Sequence, residues 1–217
     1  MPERIYSSPG RDAMAAETRT RLLDAASLLL RRAPDPSKVS LDAVAKAAGV
    51  TRLTVYNQFG SRRGLLEAVF DEVARLGGLH RIPAAMALPE PSAALYRLLD
   101  IFCDFWASDH ALGVLHAAAA ADAEFATAMA ERQERRRKVL SVLVQRLVAA
   151  GMVSKARTDE VIDMLFALSS YAMFDMLRQP GRKPAAVRRM LKSAFTAALE
   201  STLNDPERGS RQEPRKK

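Results

Sequence analysis

Residues 40–61 read SLDAVAKAAGVTRLTVYNQFGS, and this stretch decides the fold. Ser40 is a good N-cap for a first short helix, and Thr51 is a good N-cap for a second one. Gly49 lies between the two helices, where a glycine can adopt the positive φ that reverses the chain sharply. The alanines of the first helix let the two helices approach closely. Two short helices joined by a tight turn predict a helix-turn-helix.

The rest of the chain also predicts helices. Pro, Gly and Ser residues interrupt it at intervals, and no sustained alternation of β-branched residues indicates a strand. We therefore expect an all-α fold of about nine helices. The predicted helices cover approximately residues 17–33, 41–48, 52–59, 62–76, 92–107, 110–119, 122–150, 159–178 and 185–203.

A stretch rich in glycine and proline near residue 80 divides these helices into two groups. We expect an N-terminal three-helix helix-turn-helix domain over residues 17–80 and a larger helical domain over residues 81–203. Residues 1–16 predict a flexible basic arm, and residues 204–217 predict a disordered basic tail. The arginines of both ends either reach DNA or belong to mobile termini, and the sequence leaves these alternatives open.

The charge of the chain points to a polyanionic partner. Its 217 residues include 33 Lys and Arg against 25 Asp and Glu, a formal net charge of +8. Nucleic acid and an anionic membrane surface both fit this balance, and so does a protein from a genome rich in Arg and Ala codons. No apolar run approaches the roughly 18–20 residues of a membrane span. Without an apolar signal region either, we expect a cytoplasmic protein with no membrane partner.

The second helix of the quoted stretch presents two different faces. At about 100° per residue, Val55 and Phe59 point to the inner side of the helix pair. Leu53 and Asn57 lie opposite. The outward side is poor for packing, but its hydroxyls and amides suit a DNA groove, where they reach phosphates and base edges.

Single residues of this outward face fit DNA in different ways. Arg52 is placed either to fork onto a guanine or to contact a phosphate, and Thr51 and Tyr56 are suited to phosphates. The amides of Asn57 and Gln58 match adenine. The alternative is a solvated helix face with a buried tyrosine ring.

The run GVTRLTVYNQFGSRRGLLEAVFDEV, residues 49–73, resembles the signature of the TetR (tetracycline repressor) family of transcriptional regulators. That signature has a Gly-Val turn, a short recognition helix with Thr-x-Tyr and a final Phe, and a Ser-Lys/Arg pair that opens a Leu-rich helix. The resemblance covers about residues 18–78 without gaps. It implies an all-α fold with an N-terminal three-helix helix-turn-helix DNA-binding domain, followed by a larger helical ligand-binding and dimerisation domain.

The resemblance also implies roles for single residues. Thr51, Arg52, Thr54 and Tyr56 would face the operator. Ser40 would contact a phosphate from the N-terminus of its own helix, and Arg62 would hold a phosphate from the N-terminus of the helix that follows. Leu53 stands where the family often has Gly, Ala or Pro, and would touch a thymine methyl group. Arg62 stands where Lys is usual, which preserves the charge.

In the family, the last two helices pair with their twofold copies, so the resemblance implies a homodimer on a palindromic operator. The expected activity is that of a repressor released from double-stranded DNA by a small apolar ligand. Large apolar side chains of the second domain either line a cavity for it or are plain core. The candidate ligand-binding residues are Phe102, Phe105, Trp106, His116, Phe125, Met129, Met164, Tyr171 and Phe174.

Other chemistry finds little support in the sequence. His116 fits a hydrogen-bonded core group better than a metal ligand, Cys103 fits a buried inert thiol, and we expect no cofactor or metal. The chain contains no nucleophile elbow, Walker loop, dinucleotide-binding turn or HExxH motif, so we do not expect an enzyme. The alternative function is a helical protein that binds small molecules or lipids and has no DNA role.

Overall fold

The computed structural model describes residues 9–32 and 35–203. Within these ranges the chain forms eleven α-helices and no strand, which confirms the all-α prediction. None of these helices is both long and apolar enough to cross a membrane. The helices are α1 (Pro9–Arg32), α2 (Leu41–Ala48), α3 (Arg52–Phe59), α4 (Arg62–Leu76), α5 (Ile82–Met86), α6 (Pro91–Ser108), α7 (Ala111–Ala121), α8 (Ala123–Ala149), α9 (Thr158–Leu168), α10 (Tyr171–Leu177) and α11 (Pro184–Leu203).

Helix α1 begins at Pro9, earlier than the predicted start near residue 17. Proline is tolerated in a first helical turn because an N–H at that point has no partner within the helix. Asp12 lies in the same turn, where the helix dipole favours a negative charge. Residues 9–16, which the sequence analysis assigned to a flexible arm, are therefore helical. Residues 1–8 of that arm and the predicted tail over 204–217 lie outside the described residues.

The single helix predicted over residues 159–178 is wrong, because the structure divides it into α9 and α10. The Ser170 side chain accepts a hydrogen bond from the Met173 N–H at 3.1 Å and so caps α10. The Ser169 hydroxyl accepts a hydrogen bond from the Arg136 guanidinium, 2.6 Å away. A local cap and a tertiary contact together fix the break.

The chain forms two compact units. The first contains residues Met1–Leu76 and Ser108–Ala130, and the second contains Gly77–Ala107 and Glu131–Lys217. Helix α7 and the start of α8 therefore belong with α1–α4. The domain boundary that the sequence suggests near residue 80 stays a prediction.

The core of the first unit is built from the apolar faces of its helices. Leu22 and Leu30 of α1 and Leu65 of α4 are fully buried. Val44 of α2 and Val55 of α3 are also fully buried, so both short helices are held by core contacts. Helix α7 packs on α1 and α4. These core contacts hold α2 and α3 against α1 and α4.

The second unit combines an apolar core with a charged seam. Phe105 of α6 and Phe195 of α11 are buried. Along the seam between these helices, the Lys192 ammonium donates to Asp100 at 2.9 Å, and the Arg188 guanidinium pairs with Asp104. Such contacts set the register of α6 against α11.

Candidate nucleic-acid interface

The two helices of the quoted stretch begin at the caps that the sequence predicts. The Ser40 hydroxyl accepts from the Ala43 N–H at 3.1 Å, and the Thr51 hydroxyl accepts from the Thr54 N–H at 3.2 Å. Gly49 adopts the left-handed conformation, with φ at 68°. These contacts confirm the turn and fix the direction in which α3 leaves it.

Helix α3 turns its polar side to solvent. Val55 has no exposed surface, whereas 55 % of Tyr56 and 64 % of Leu53 are exposed. Arg52 and Asn57 are also exposed, and Thr54 and Gln58 are half-buried. The exposed Tyr56 excludes the alternative in which this ring is buried. The face that the sequence assigns to DNA is therefore open.

Arg19 of α1 fixes the far end of α3. Its guanidinium donates to the Gln58 backbone carbonyl at 3.1 Å and lies 4.7 Å from the centroid of the Phe59 ring. A cation over an aromatic face is attracted by the ring quadrupole. The sequence analysis missed Arg19, because nothing in the local pattern of α1 shows which helix its outer side meets.

A surface groove of about 390 Å³ joins the outer face of α3 to the first turns of α2 and α4. The first turn of a helix favours anions, because its N–H groups and its dipole both attract negative charge. Two such ends beside one polar face suit the backbone of a nucleic acid. The groove is lined by Ser40, Leu41, Asp42, Arg52, Tyr56, Gly60, Ser61 and Arg62.

Arg62 is committed to three contacts inside the first unit. Its guanidinium donates to the Val39 carbonyl at 3.0 Å and to the Pro36 carbonyl at 2.8 Å. It also donates to the Asp122 carboxylate at 3.1 Å. The two carbonyls belong to the loop that enters α2, so Arg62 ties this loop to α4. The predicted phosphate contact of Arg62 stays a prediction.

Two acidic residues beside the groove were missed as site residues. Asp42 lies with its carboxylate 3.6 Å from the Arg52 guanidinium, and the sequence analysis treated it only as a charge in the first turn of α2. Asp122 caps α8, since its carboxylate accepts from the Phe125 N–H at 3.0 Å. Its pairing with Arg62 spans 60 positions of sequence and leaves no local signal.

The helix-turn-helix lies where a known family places it. The family model described as bacterial regulatory proteins of the tetR family matches residues 22–69. In this segment the chain is similar to the tetR family. The matched segment contains α2 and α3 whole, so the signature of the TetR family coincides with the groove.

A curated relative supports the same assignment. Over 60 residues the chain is 48 % identical to the HTH-type transcriptional regulator AlkX of Mycobacterium tuberculosis. That segment makes up 27 % of this chain and 28 % of the relative. The sequence similarity therefore spans less than a third of the relative's length. This relative is a transcriptional regulator.

Solved structures of transcriptional regulators share the fold over most of the chain. A transcriptional regulator from Rhodococcus sp. RHA1 has a TM-score of 0.65 at 17 % identity, covering 86 % of this chain and 98 % of that one. A regulator from Saccharomonospora viridis in complex with choline has a TM-score of 0.65 at 16 % identity, covering 83 % and 96 %. At this identity the likeness concerns the fold alone.

The candidate ligand residues are divided between the two units. Phe125 and Met129 are buried in the first unit, where the His116 ring nitrogen Nδ1 lies 2.7 Å from the Leu112 carbonyl. That contact agrees with His116 as a hydrogen-bonded group. The other six residues belong to the second unit, and among them Met164 is exposed on α9.

An aromatic cluster forms in the second unit. The Trp106 ring nitrogen donates to the Ser169 carbonyl at 2.9 Å, and the Trp106 and Tyr171 rings meet edge to face at 5.6 Å. Phe102, Phe105 and Phe174 are buried. Burial also raises the pKa of the Cys103 thiol to about 12. The thiol therefore stays protonated at neutral pH, as expected for an inert core cysteine.

Proposed function

We propose that this protein is a cytoplasmic transcriptional regulator that binds a palindromic double-stranded DNA operator as a homodimer. The exposed polar face of α3 carries the proposal. Arg52 and Tyr56 project from this face while Val55 fixes the helix to the core. Insertion into a major groove requires a helix with one face packed on the core and the opposite face exposed.

A twofold dimer follows from the size of the reading helix. Helix α3 has eight residues and contacts only a few base pairs, so strong specificity needs two copies about 34–36 Å apart or slightly more. The proposed dimer surface lies on the last helices. Met164 of α9 and Met190 of α11 are exposed, whereas Leu165 and Leu191 on the same helices are buried. Exposed methionines next to small residues suit a helix-to-helix contact.

We further propose that the protein is a repressor and that a small apolar ligand releases it from the operator. The aromatic cluster of Trp106, Tyr171 and Phe174 supports a site of this character in the second unit. Any ligand shifts the equilibrium between two conformations only by its difference in affinity for them. The DNA-bound dimer and the ligand-bound dimer would then differ in the spacing of their two α3 helices.

Selection of duplexes from a random pool, followed by fluorescence anisotropy, tests the DNA-binding role. We expect enrichment of a palindrome whose affinity falls steeply as salt increases. A pool without enrichment, together with no salt-dependent binding, would overturn the proposal and favour a helical small-molecule-binding protein without DNA function. The wild-type chain serves for this test because no operator has to be known beforehand.

A further inference from the structure

The two arginines that line the groove are each paired with a carboxylate of the same chain. The Arg52 Nε lies 3.6 Å from Asp42, and the Arg62 Nη1 lies 3.1 Å from Asp122. An unpaired guanidinium at this surface would present a full positive charge to a phosphate. The cations of the groove are therefore compensated before DNA arrives.

The two pairs differ in how firmly the acid is held. Asp42 and Arg52 are both about two-thirds exposed and meet at one loose contact. Asp122 and Arg62 are each 28 % exposed. One Asp122 oxygen accepts from the Phe125 N–H and the other accepts from Arg62, so this carboxylate has a fixed place. It is the stronger of the two counter-charges, since partial burial reduces screening by water and salt.

We propose that Asp42 and Asp122 act as internal counter-ions that compete with DNA phosphates for Arg52 and Arg62, and so limit binding to non-operator DNA. The inference rests on the DNA-binding role proposed above. Non-specific binding depends almost wholly on charge, because it gains free energy from the release of counterions from the duplex. On random DNA, an arginine that leaves its aspartate for a phosphate gains little binding free energy. An operator also supplies base contacts, and these offset the cost of breaking the ion pair.

A purely structural role of Asp122 makes the opposite prediction. If Asp122 served only to hold Arg62 and the loop it binds, loss of the carboxylate charge would loosen the groove and weaken binding to every duplex. Internal competition instead predicts stronger binding to random DNA and a steeper dependence on salt. The sign of the change therefore separates the two roles.

The test compares Asp42→Asn and Asp122→Asn with Asp109→Asn as the matched control. Asparagine caps a helix about as well as aspartate, so Asp122→Asn removes the charge while the cap of α8 is kept. Asp109 also lies at the start of a helix and pairs with an arginine, since its carboxylate accepts from the Ala111 N–H of α7 at 2.8 Å and binds Arg31. It is not among the residues that line the groove. All three variants change the net charge equally.

The probe is a fluorescent random-sequence duplex, titrated by anisotropy between about 50 and 200 mM salt. We expect each groove variant to bind it about fivefold more tightly at 0.1 M salt, with a log–log salt slope steeper by about 0.9 per released arginine. We expect Asp109→Asn to stay within about twofold of the wild type. Unchanged or weaker binding by both groove variants, or an equal gain by Asp109→Asn, would overturn the proposal.

Two further measurements keep the outcomes distinct. A thermal melt of each variant checks folding, and the exposed Asp42→Asn keeps the test available if Asp122→Asn is destabilised. Wild-type binding to the random duplex and to a selected palindrome is measured in parallel. If the wild type binds neither duplex, both the DNA-binding role and this inference are overturned. If the wild type binds both and the groove variants match it, only the counter-ion role fails.

Discussion

Gly64 lies against the backbone carbonyl of Phe59. A Cβ atom at Gly64 would stand 2.1 Å from the Phe59 oxygen, well inside van der Waals contact. The first turn of α4 thus approaches the end of α3 so closely that only glycine fits. The position of α3 depends on this absence of a side chain.

Gly64→Ala is expected to destabilise the protein by about 2–3 kcal/mol, because the backbone of α3 or α4 has to shift. In an ordinary helix interior the same change stabilises by up to about 1 kcal/mol, so the sign itself is diagnostic. Urea unfolding followed by circular dichroism measures the difference. A more stable variant would show that the close approach of Gly64 to Phe59 is wrong.

Tyr56→Ala and Arg52→Ala are each expected to weaken operator binding by at least about 1–3 kcal/mol per site. Both side chains project into solvent, so the melting temperature should change little. Val55→Ala is the neighbouring control, since Val55 is fully buried and its truncation should cost about 1–3 kcal/mol of stability. Anisotropy and thermal melts on the three variants give both quantities. Unfolding by Tyr56→Ala would assign this ring to the core.

The sequence predicted the helix-turn-helix well because its signals are local. A cap residue acts on an N–H two or three positions away, and Gly49 needs only its own φ. The contact between Arg62 and Asp122 joins residues 60 positions apart, and residue spacing within one helix cannot reveal it. The break between α9 and α10 combines the local cap of Ser170 with a contact from Arg136 of another helix. Local sequence signals therefore predicted the exposed face of α3, whereas the residues packed around that face depend on tertiary contacts that the sequence does not show.

Met190→Glu is expected to weaken the proposed dimer. Met190 is 42 % exposed on α11, and a buried glutamate facing its own copy would add desolvation and repulsion. We expect the dimer Kd to rise about 10- to 100-fold. Sedimentation velocity across a concentration series measures it, with Met14→Glu on α1 as the control. An unchanged Kd would place the dimer interface elsewhere.

The stability of the protein in acid is expected to depend on Asp109. Hydrogen bonds from the Arg31 guanidinium hold the pKa of Asp109 below its usual value. A depressed pKa in the folded state means that the pair contributes fully above the unfolded pKa of about 3.9 and is lost as pH falls further. Because Arg31 is partly exposed, the contribution is about 0.5–1 kcal/mol.

Asp109→Asn should therefore be less stable than the wild type at pH 7, and the difference should shrink as the pH falls below about 4. Arg31→Gln should remove the same increment, and the double variant should lose nothing more. Urea unfolding of the wild type, the two single variants and the double variant, at pH 7 and at a pH below about 4, completes the double-mutant cycle. If the difference in free energy of unfolding between the wild type and Asp109→Asn stayed constant with pH, the ion pair would not be its cause.

Arg136 is a buried cation whose three acceptors are uncharged. Only 7 % of it is exposed, and its donors reach the Phe166 carbonyl, the Ser169 hydroxyl and the Gln133 amide oxygen at 2.6–2.7 Å. Burial lowers the pKa of Arg136 to about 10. Two effects therefore oppose each other: the hydrogen bonds stabilise the end of α9, and the desolvated charge costs free energy.

The balance is measurable by comparing two truncations. Arg136→Ala should cost about 3 kcal/mol, because it leaves buried acceptors unpaired and opens a cavity. Arg136→Met leaves the same acceptors but fills the space and removes the buried charge, so it should cost only about 1 kcal/mol. Arg137→Ala is the control, since the pairing of Arg137 with Asp163 is exposed and worth less than about 1 kcal/mol. If Arg136→Met were as costly as Arg136→Ala, the lost hydrogen bonds of Arg136 would account for the whole effect, and removal of the buried charge would bring no gain in stability.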